Sequence, residues 1–397
     1  MDLQLDHLPF RSTENTVFGK NITLFRILGF NIRINISWIF IAILITWSLS
    51  TGFLPYYYEG LSTTWYWIMG TFGAIGFFAS ILFHEFWHCL VARHYGMPIS
   101  NITLFLLGGV SEMDEEPESP KIEFLMAIAG PVSSLVLGVL LYAIARGASM
   151  IGLFEPAIII ISYLAFINWI LAIFNMLPAF PLDGGRVLRS ALWQFKGDLR
   201  WATSIASKAG SFFGIILMIL GVLNLFTGNP VGGVWYIIIG MFLNSSAQLS
   251  YQQVLVKQNL KGKNVASLMR TEPITVSPDI SVHDLVENYI YRHHFKMYPV
   301  VENGRLIGCI HMNRVKEINQ DEWRQRRVRE LAQDCSEENS VSPREDVIDA
   351  MMLMNKSGNS RLMVVENGQL KGIISQKDII GYISTRMELE GSAPSSA

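Results

Sequence analysis

His84-Glu85-Phe86-Trp87-His88 sets two imidazoles four residues apart with a carboxylate beside the first. On an α-helix, positions i and i+4 share a face, so both rings can reach one tetrahedral metal ion while Glu85 stands next to it as a base. A pattern this short arises by chance in many proteins, and its setting decides. The run Tyr66-Trp67-Ile68-Met69 onward is apolar, passes through Glu85 and continues to about Tyr95. A carboxylate inside a membrane segment costs about 2.5–3.5 kcal/mol, which makes it functional by default; a polar patch satisfying neighbouring helices is the bland alternative. Catalytic zinc usually takes three protein ligands and leaves one position for water, so a third donor must come from elsewhere. Asp183 is the best candidate, because Pro178 and Pro181 end or distort the preceding apolar segment and Gly184-Gly185 allow close backbone approach, placing Asp183 at a helix break. Asp198, between Lys196 and Arg200, is a weaker candidate in a solvated stretch. His94, six residues past His88, lies off the metal face and reads as an interfacial histidine.

The elements that must hold these groups are membrane spans. With 50% hydrophobic and 16% charged residues, the chain departs from the soluble norm of about a quarter charged. The charge is also uneven, with 19 Asp, Glu, Lys and Arg in the 217 residues from Ile34 to Ser250 against 38 in the 147 residues from Tyr251 to Ala397. Uncharged runs long enough to span lie between Arg33 and Glu59, between Glu59 and Glu85 (this span continuing past Glu85 to about Tyr95), between Glu123 and Arg146, and from Pro156 to Leu182. The stretch Ala209 to Val256 divides at Thr227-Gly228-Asn229-Pro230 into two more, giving six spans. Lys20, Arg26 and Arg33 precede span one, five Lys and Arg lie between spans four and five, and Lys257, Lys261 and Lys263 follow span six. The connections between spans one and two and spans five and six carry none. Positive-inside counting therefore puts both termini in the cytoplasm of a multi-pass protein. The first apolar run begins near Ile34 behind a polar leader, so no secretory signal is expected. Cys89, Cys309 and Cys335 are too few and scattered for a disulfide framework, and a net charge of −2 with no long basic run argues against nucleic acid.

Between spans two and three, Ile102 to Leu107, then Gly108-Gly109, then Val110 to Met113 reads as two short strands joined by a glycine turn; a short buried helix or re-entrant loop is the alternative. Strand edges are not tolerated facing lipid, so the hairpin must sit against protein, at the interface, or beside water. A metal site with a base beside it suits peptide hydrolysis, and a scissile carbonyl in a substrate that itself spans the membrane as a helix would be held in the hydrogen-bond ladder and must be released first. The edge offered by Ile102, Thr103, Leu104, Phe105, Leu106 and Leu107 is expected to receive the extended strand. Zinc would polarise that carbonyl while Glu85 takes a proton from water and passes it to the leaving amine.

The tail repeats at about 64 residues. Tyr298-Pro-Val-Val-Glu-Asn-Gly-Arg-Leu-Ile-Gly308 answers to Leu362-Met-Val-Val-Glu-Asn-Gly-Gln-Leu-Lys-Gly372, and Val276-Ser-Pro278 to Val341-Ser-Pro343. Each unit reads as strand, helix, strand, Asn-Gly turn, strand, helix.

The whole resembles the site-2 protease family of intramembrane metalloproteases, in the branch with a C-terminal pair of CBS modules. The resemblance rests on HEFWH in span two, Ala129-Gly130-Pro131 in span three, and Asn175-Met-Leu-Pro-Ala-Phe-Pro-Leu-Asp183-Gly184, and it runs from about Ile22 to the end. It implies His84, His88 and Asp183 as ligands of one zinc ion, Glu85 as catalytic base, and a positioning or oxyanion role for Asn175. Many relatives carry Asn where this chain has Ser134. In the tail, Gly372-Ile-Ile-Ser375-Gln-Lys-Asp378 is similar to the CBS motif whose hydroxyl meets phosphate and whose carboxylate meets ribose. His311 and Arg314 replace those groups in the first module, so one adenine-nucleotide site (ATP, ADP or AMP) is expected rather than two. A structural or homodimerising role for the pair is the alternative.

The expected architecture is a polytopic α-helical membrane protein, six transmembrane helices with a small β-hairpin, plus a cytoplasmic α/β CBS domain pair. Its boundaries are a leader at 1–33, a protease domain at 34–250, a linker at 251–263, modules at 264–320 and 327–385, and a flexible tail at 386–397. The expected activity is zinc-dependent endopeptidase cleavage of transmembrane segments of membrane-tethered, regulatory proteins. The expected location is a bacterial or archaeal cell membrane, or an organellar membrane of that descent. A CBS-gated transporter or channel is the rival, but repeated membrane halves or paired polar residues on broken helices are not visible.

Overall fold

Among the described residues, six helices are long and apolar enough to cross a membrane. They are Ile36–Tyr57, Thr63–His94, Pro120–Met150, Glu155–Asn175, Leu199–Phe226 and Pro230–Leu260, in a computed structural model that describes residues 21–97, 99–105, 108–113 and 117–391. The first comprises α1 (Ile36–Ser48), a π-helical turn at Leu49–Phe53 and α2 (Leu54–Tyr57). The others are α3 (Thr63–His94), α4 (Pro120–Met150), α5 (Glu155–Asn175), α7 (Leu199–Phe226) and α8 (Pro230–Leu260), with a shorter α6 (Asp183–Lys196) between α5 and α7. Side-chain oxygens of Asn35, Ser62, Ser119 and Asp198 accept from the first turns of α1, α3, α4 and α7, so polar residues start four of these helices. Outward side chains such as Phe40, Ile43, Phe72, Leu140 and Phe212 are apolar and exposed, as a lipid-facing surface requires.

Two expected boundaries move. The fourth span ends at Asn175 rather than Leu182, since neither Pro178 nor Pro181 can donate to a continuing ladder, and 176–182 is irregular. The stretch expected as a linker is largely helix: α8 continues without a break to Leu260.

The hairpin between spans two and three is present as β3 (Ile99–Phe105) and β4 (Gly108–Met113), with Gly108 and Gly109 inside β4. Leu106 and Leu107 lie outside the described residues. The leader, however, is not featureless. Its β1 (Asn21–Ile27) and β2 (Phe30–Asn35) complete a four-stranded sheet in the order β1-β2-β3-β4. Strand β2 runs parallel to β3 in the register Asn31↔Asn101, Ile32↔Ile102, Arg33↔Thr103 and Ile34↔Leu104, while β3 pairs β4 antiparallel. This corrects the expected docking strand. Both sides of Ile102, Thr103 and Leu104 are already paired, and Phe105 pairs Gly108, so the sheet's edges are β1 and β4. Phe30, Ile32, Cys89 and Ile102 form a buried cluster that seats the sheet on α3.

The chain divides into two compact units at Val254/Leu255. The second contains β5 (Met297–Glu302), β6 (Arg305–His311), β7 (Ser340–Val341), β8 (Arg361–Glu366) and β9 (Gln369–Ser375). Asn303-Gly304 and Asn367-Gly368 all have positive φ, the mark of two-residue hairpin turns, and join β5 to β6 and β8 to β9. The entry segment of each module pairs with the other: Arg270 exchanges backbone hydrogen bonds with Ile373, and Gln333 with Cys309. Val256 and Leu260 of α8 pack with Val265, Val341, Met354, Leu362 and Ile374 in one core. Met297, Leu306, Cys309 and Met363 close the seam between the sheets.

Candidate metal centre

His84 and His88 sit one turn apart on α3, buried, and Asp183 is the first residue of α6. His84 Nε2 and His88 Nε2 are 3.2 Å apart, and Asp183 Oδ2 lies 3.0 Å from the first and 3.2 Å from the second. Three donors around a tetrahedral ion at ~2.0–2.1 Å would stand about 3.3–3.4 Å from one another, so this triangle has the size of a zinc site. Among the described residues it is the group of His, Cys, Asp and Glu side chains that could hold a metal ion.

The other ring nitrogens are spoken for. His88 Nδ1 donates to the Met126 carbonyl at 2.6 Å, and His84 Nδ1 lies 2.9 Å from Ser134 Oγ. A carbonyl only accepts, so His88 carries its proton on Nδ1 and presents the Nε2 lone pair to the centre; Ser134 can do the same for His84. Both partners come from α4, as does Gly130, over which the two rings meet. A Cβ on Gly130 would stand 2.6 Å from His84 Nε2 and closer still to His88 Nε2, so the missing side chain leaves the room that a metal ion needs. Pro131 beside it withholds an N–H from the Ala127 carbonyl and loosens α4 at this level.

Asp183 reaches the site because the chain turns sharply before α6. A Cβ at Gly184 would collide with the carbonyl oxygens of Met176 and Leu177, so the 176–182 loop folds directly over the helix start. Glu85 follows His84 on α3 and is half-buried. Asn175 is the last residue of α5, and its amide donates to the Leu171 carbonyl at 3.0 Å; the structure does not bring it into the donor triangle. Asp198 caps α7 by accepting from Trp201 N, which explains its presence without a metal. His94 is exposed at the end of α3 against Tyr95. The sequence singles out Gly130 only as a family match and Ser134 only as a departure; both line the centre, and the Met126 carbonyl carried no side-chain signal at all.

In the tail, Ser375 and Asp378 do meet, at the start of the last helix (Gln376–Gly391). The Ser375 hydroxyl donates to the Asp378 carboxylate, and Arg270 Nε donates to Asp378 Oδ1 at 2.7 Å. The Arg361 guanidinium lies over the Phe295 ring at 4.0 Å. In the first module Arg314 pairs with Glu317, and burial lowers the pKa of His311.

A triangle of zinc-type donors on helices of membrane-spanning length, followed by two βαβ-like repeats, defines a membrane-embedded metallopeptidase with a CBS pair. The family model described as peptidase family M50 matches residues 72–157 and 149–221, and the CBS domain model matches 265–319 and 328–385. Zinc metalloprotease Rip3 of Mycobacterium tuberculosis is 33% identical over 366 residues, covering 91% of this chain and 92% of that protein. A zinc metalloprotease of Methanocaldococcus jannaschii is 30% identical over 368 residues, covering 92% and 96%. A solved site-2 protease from the same archaeon is 28% identical and covers 58% of this chain and 95% of its own, with a TM-score of 0.41. The chain belongs to peptidase family M50, the site-2 protease family, and is a zinc metalloprotease with a CBS domain pair. The transporter or channel reading is thereby set aside.

Proposed function

We propose that this metalloprotease cuts within membrane-spanning segments of membrane-tethered proteins, using His84, His88 and Asp183 as zinc ligands and Glu85 as general base. The observation that carries the reading is the convergence of three donor atoms within 3.2 Å over Gly130, on α3 and α6 of the membrane unit. When bound, zinc supplies Lewis acidity, polarising a carbonyl and easing deprotonation of water. The chain's own residues do the rest. Ser134 and the Met126 carbonyl keep both imidazoles in the ligating tautomer, and the Glu85 carboxylate accepts a proton from the attacking water and delivers it to the leaving amide nitrogen. Asn175, at the end of α5, would act on substrate rather than on the ligands. A substrate helix must unwind before its carbonyl is accessible; the edge of β4 away from β3 can satisfy the released backbone groups by strand addition.

The Lys and Arg asymmetry supports both termini on the cytoplasmic side, and the Ser375-Asp378 pair supports an adenine-nucleotide site that modulates cleavage. Glu85→Gln tests the central claim. Purified protein should keep zinc near one per chain and lose about 10²- to 10⁴-fold in cleavage rate, the usual worth of a general base. In cells, membrane-tethered substrates should accumulate uncut. Undiminished cleavage by Glu85→Gln would show that the base is elsewhere.

A further inference from the structure

We infer that the buried ion pair between Glu123 and Arg189 is the device that positions the third zinc ligand, by fixing how α6 sits on α4. This rests on the reading of Asp183 as a ligand. Arg189 Nε donates to Glu123 Oε1 at 2.6 Å and an Nη2 contact reinforces it; the two side chains are 6% and 0% exposed. The Arg189 guanidinium also lies over the Phe180 ring at 5.2 Å, and Phe180 belongs to the loop that leads into Asp183.

Burying such a pair is costly, and an apolar pair of similar size would hold two helices together as well or better. What an ion pair adds is a single allowed register. Residues Glu123, Met126, Gly130 and Ser134 fall within about 80° of arc on α4, at ~100° per residue, so one stripe carries the ion pair, both histidine partners and the open space. Along that stripe Glu123 precedes Gly130 by about 10 Å, and along α6 Arg189 follows Asp183 by about 9 Å. The two helices are therefore joined at two points in opposite chain order, Glu123 to Arg189 and Gly130 to Asp183. Asp183 stands at the very start of its helix, with glycines behind it. A roll of one residue would turn Gly184, which has no donor, toward the imidazoles. The ion pair opposes that roll. Among the described residues Glu123 Oε2 is buried with no hydrogen-bond partner, so the carboxylate is committed to Arg189.

Full-length protein in detergent tests this, with Asp183→Ala as reference. Zinc affinity is read by competition with a chromophoric chelator, and the ligand set by the visible spectrum of the cobalt-substituted protein. Arg189→Met and Glu123→Gln should each weaken zinc about 10- to 100-fold, the range for residues that orient ligands, and shift the cobalt spectrum toward that of Asp183→Ala. Arg189→Lys, which keeps the charge but loses the fork, should fall between. Wild-type affinity and spectrum in Arg189→Met, at whatever thermal stability, would reduce the pair to a structural one. If Arg189→Met does not fold, the near-isosteric Glu123→Gln decides by the same two readouts. Asp183→Ala binding zinc as tightly as wild type would instead remove the ligand assignment, and this inference with it.

Discussion

Ser134 does for His84 what the Met126 carbonyl does for His88, yet only one of the two can be removed by mutation. Ser134→Ala takes away the partner of His84 Nδ1 and leaves the ring free to rotate or change tautomer, so zinc affinity should fall about 10- to 100-fold while His88 is still held. Gly130→Ala should act differently: its methyl would occupy the space between the two Nε2 atoms, so zinc content should drop sharply even though both ligands' partners remain. Metal analysis of the two purified variants separates the effects, and full zinc occupancy in Gly130→Ala would mean that the rings part easily. The three donors that meet in the structure were legible in the sequence because polar groups are rare in apolar runs and the i, i+4 spacing has a direct geometric meaning. Their supports were not. A serine or glycine in a transmembrane helix has many uses, and a backbone carbonyl is the same at every position.

Strand β4 is an edge strand beside α3, and its pairing makes a parity prediction. In a strand, backbone N–H groups of alternate residues point to opposite sides, so of Gly109, Val110, Ser111 and Glu112 one alternate pair donates toward β3 and the other toward the open edge. If substrate adds to that edge, proline at the outward positions should raise KM for a membrane substrate while zinc stays near one per chain. Proline at the inward positions should damage the hairpin itself. A proline scan with no outward effect on KM would place substrate elsewhere. The β3-β4 hairpin could be read from its glycines and apolar runs. The β1-β2 hairpin was missed, although Ile22 and Leu24, then Ile32 and Ile34, alternate, and Leu28-Gly29 forms the turn with positive φ at both residues. A leucine in a left-handed turn is not a sequence signal, and with that turn unread the parallel pairing of β2 on β3, which takes away the expected docking edge, could not be foreseen. Proline was the better guide at the end of α5, though not to the residue, because a helix can stop anywhere before the first proline that breaks it.

On the scale of the whole molecule, cysteine labelling should find Lys196 and Lys263 positions accessible from the cytoplasm and Ser62 and Asn229 from outside; labelling of Asn229 only from the cytoplasm would overturn the six-span orientation. The proposed regulation is a property of the tail unit. The helix α8 runs unbroken to Leu260, and Val256 and Leu260 of its last turns are part of the CBS core. A few residues further, Arg270 pairs backbone to backbone with Ile373 and side chain to side chain with Asp378. A ribose taken up by Asp378 must therefore compete with Arg270, whose side chain is largely exposed while that of Asp378 is mostly buried, so the pair to be given up is partly screened by solvent. A ligand shifts an equilibrium only if it binds two arrangements with different affinities; on the proposed nucleotide reading these are Asp378 engaged by Arg270, as in the structure, and Asp378 released from it. Adenine nucleotide should accordingly change the cleavage rate or KM of the full-length enzyme, and Asp378→Ala should abolish that response with zinc content unchanged. Arg270→Ala should tighten nucleotide binding, by up to about fivefold if the pair is worth ~1 kcal/mol. Calorimetry on the full-length protein that detects no binding of ATP, ADP or AMP, together with identical cleavage with and without them, would leave the CBS pair to a docking or dimerising role.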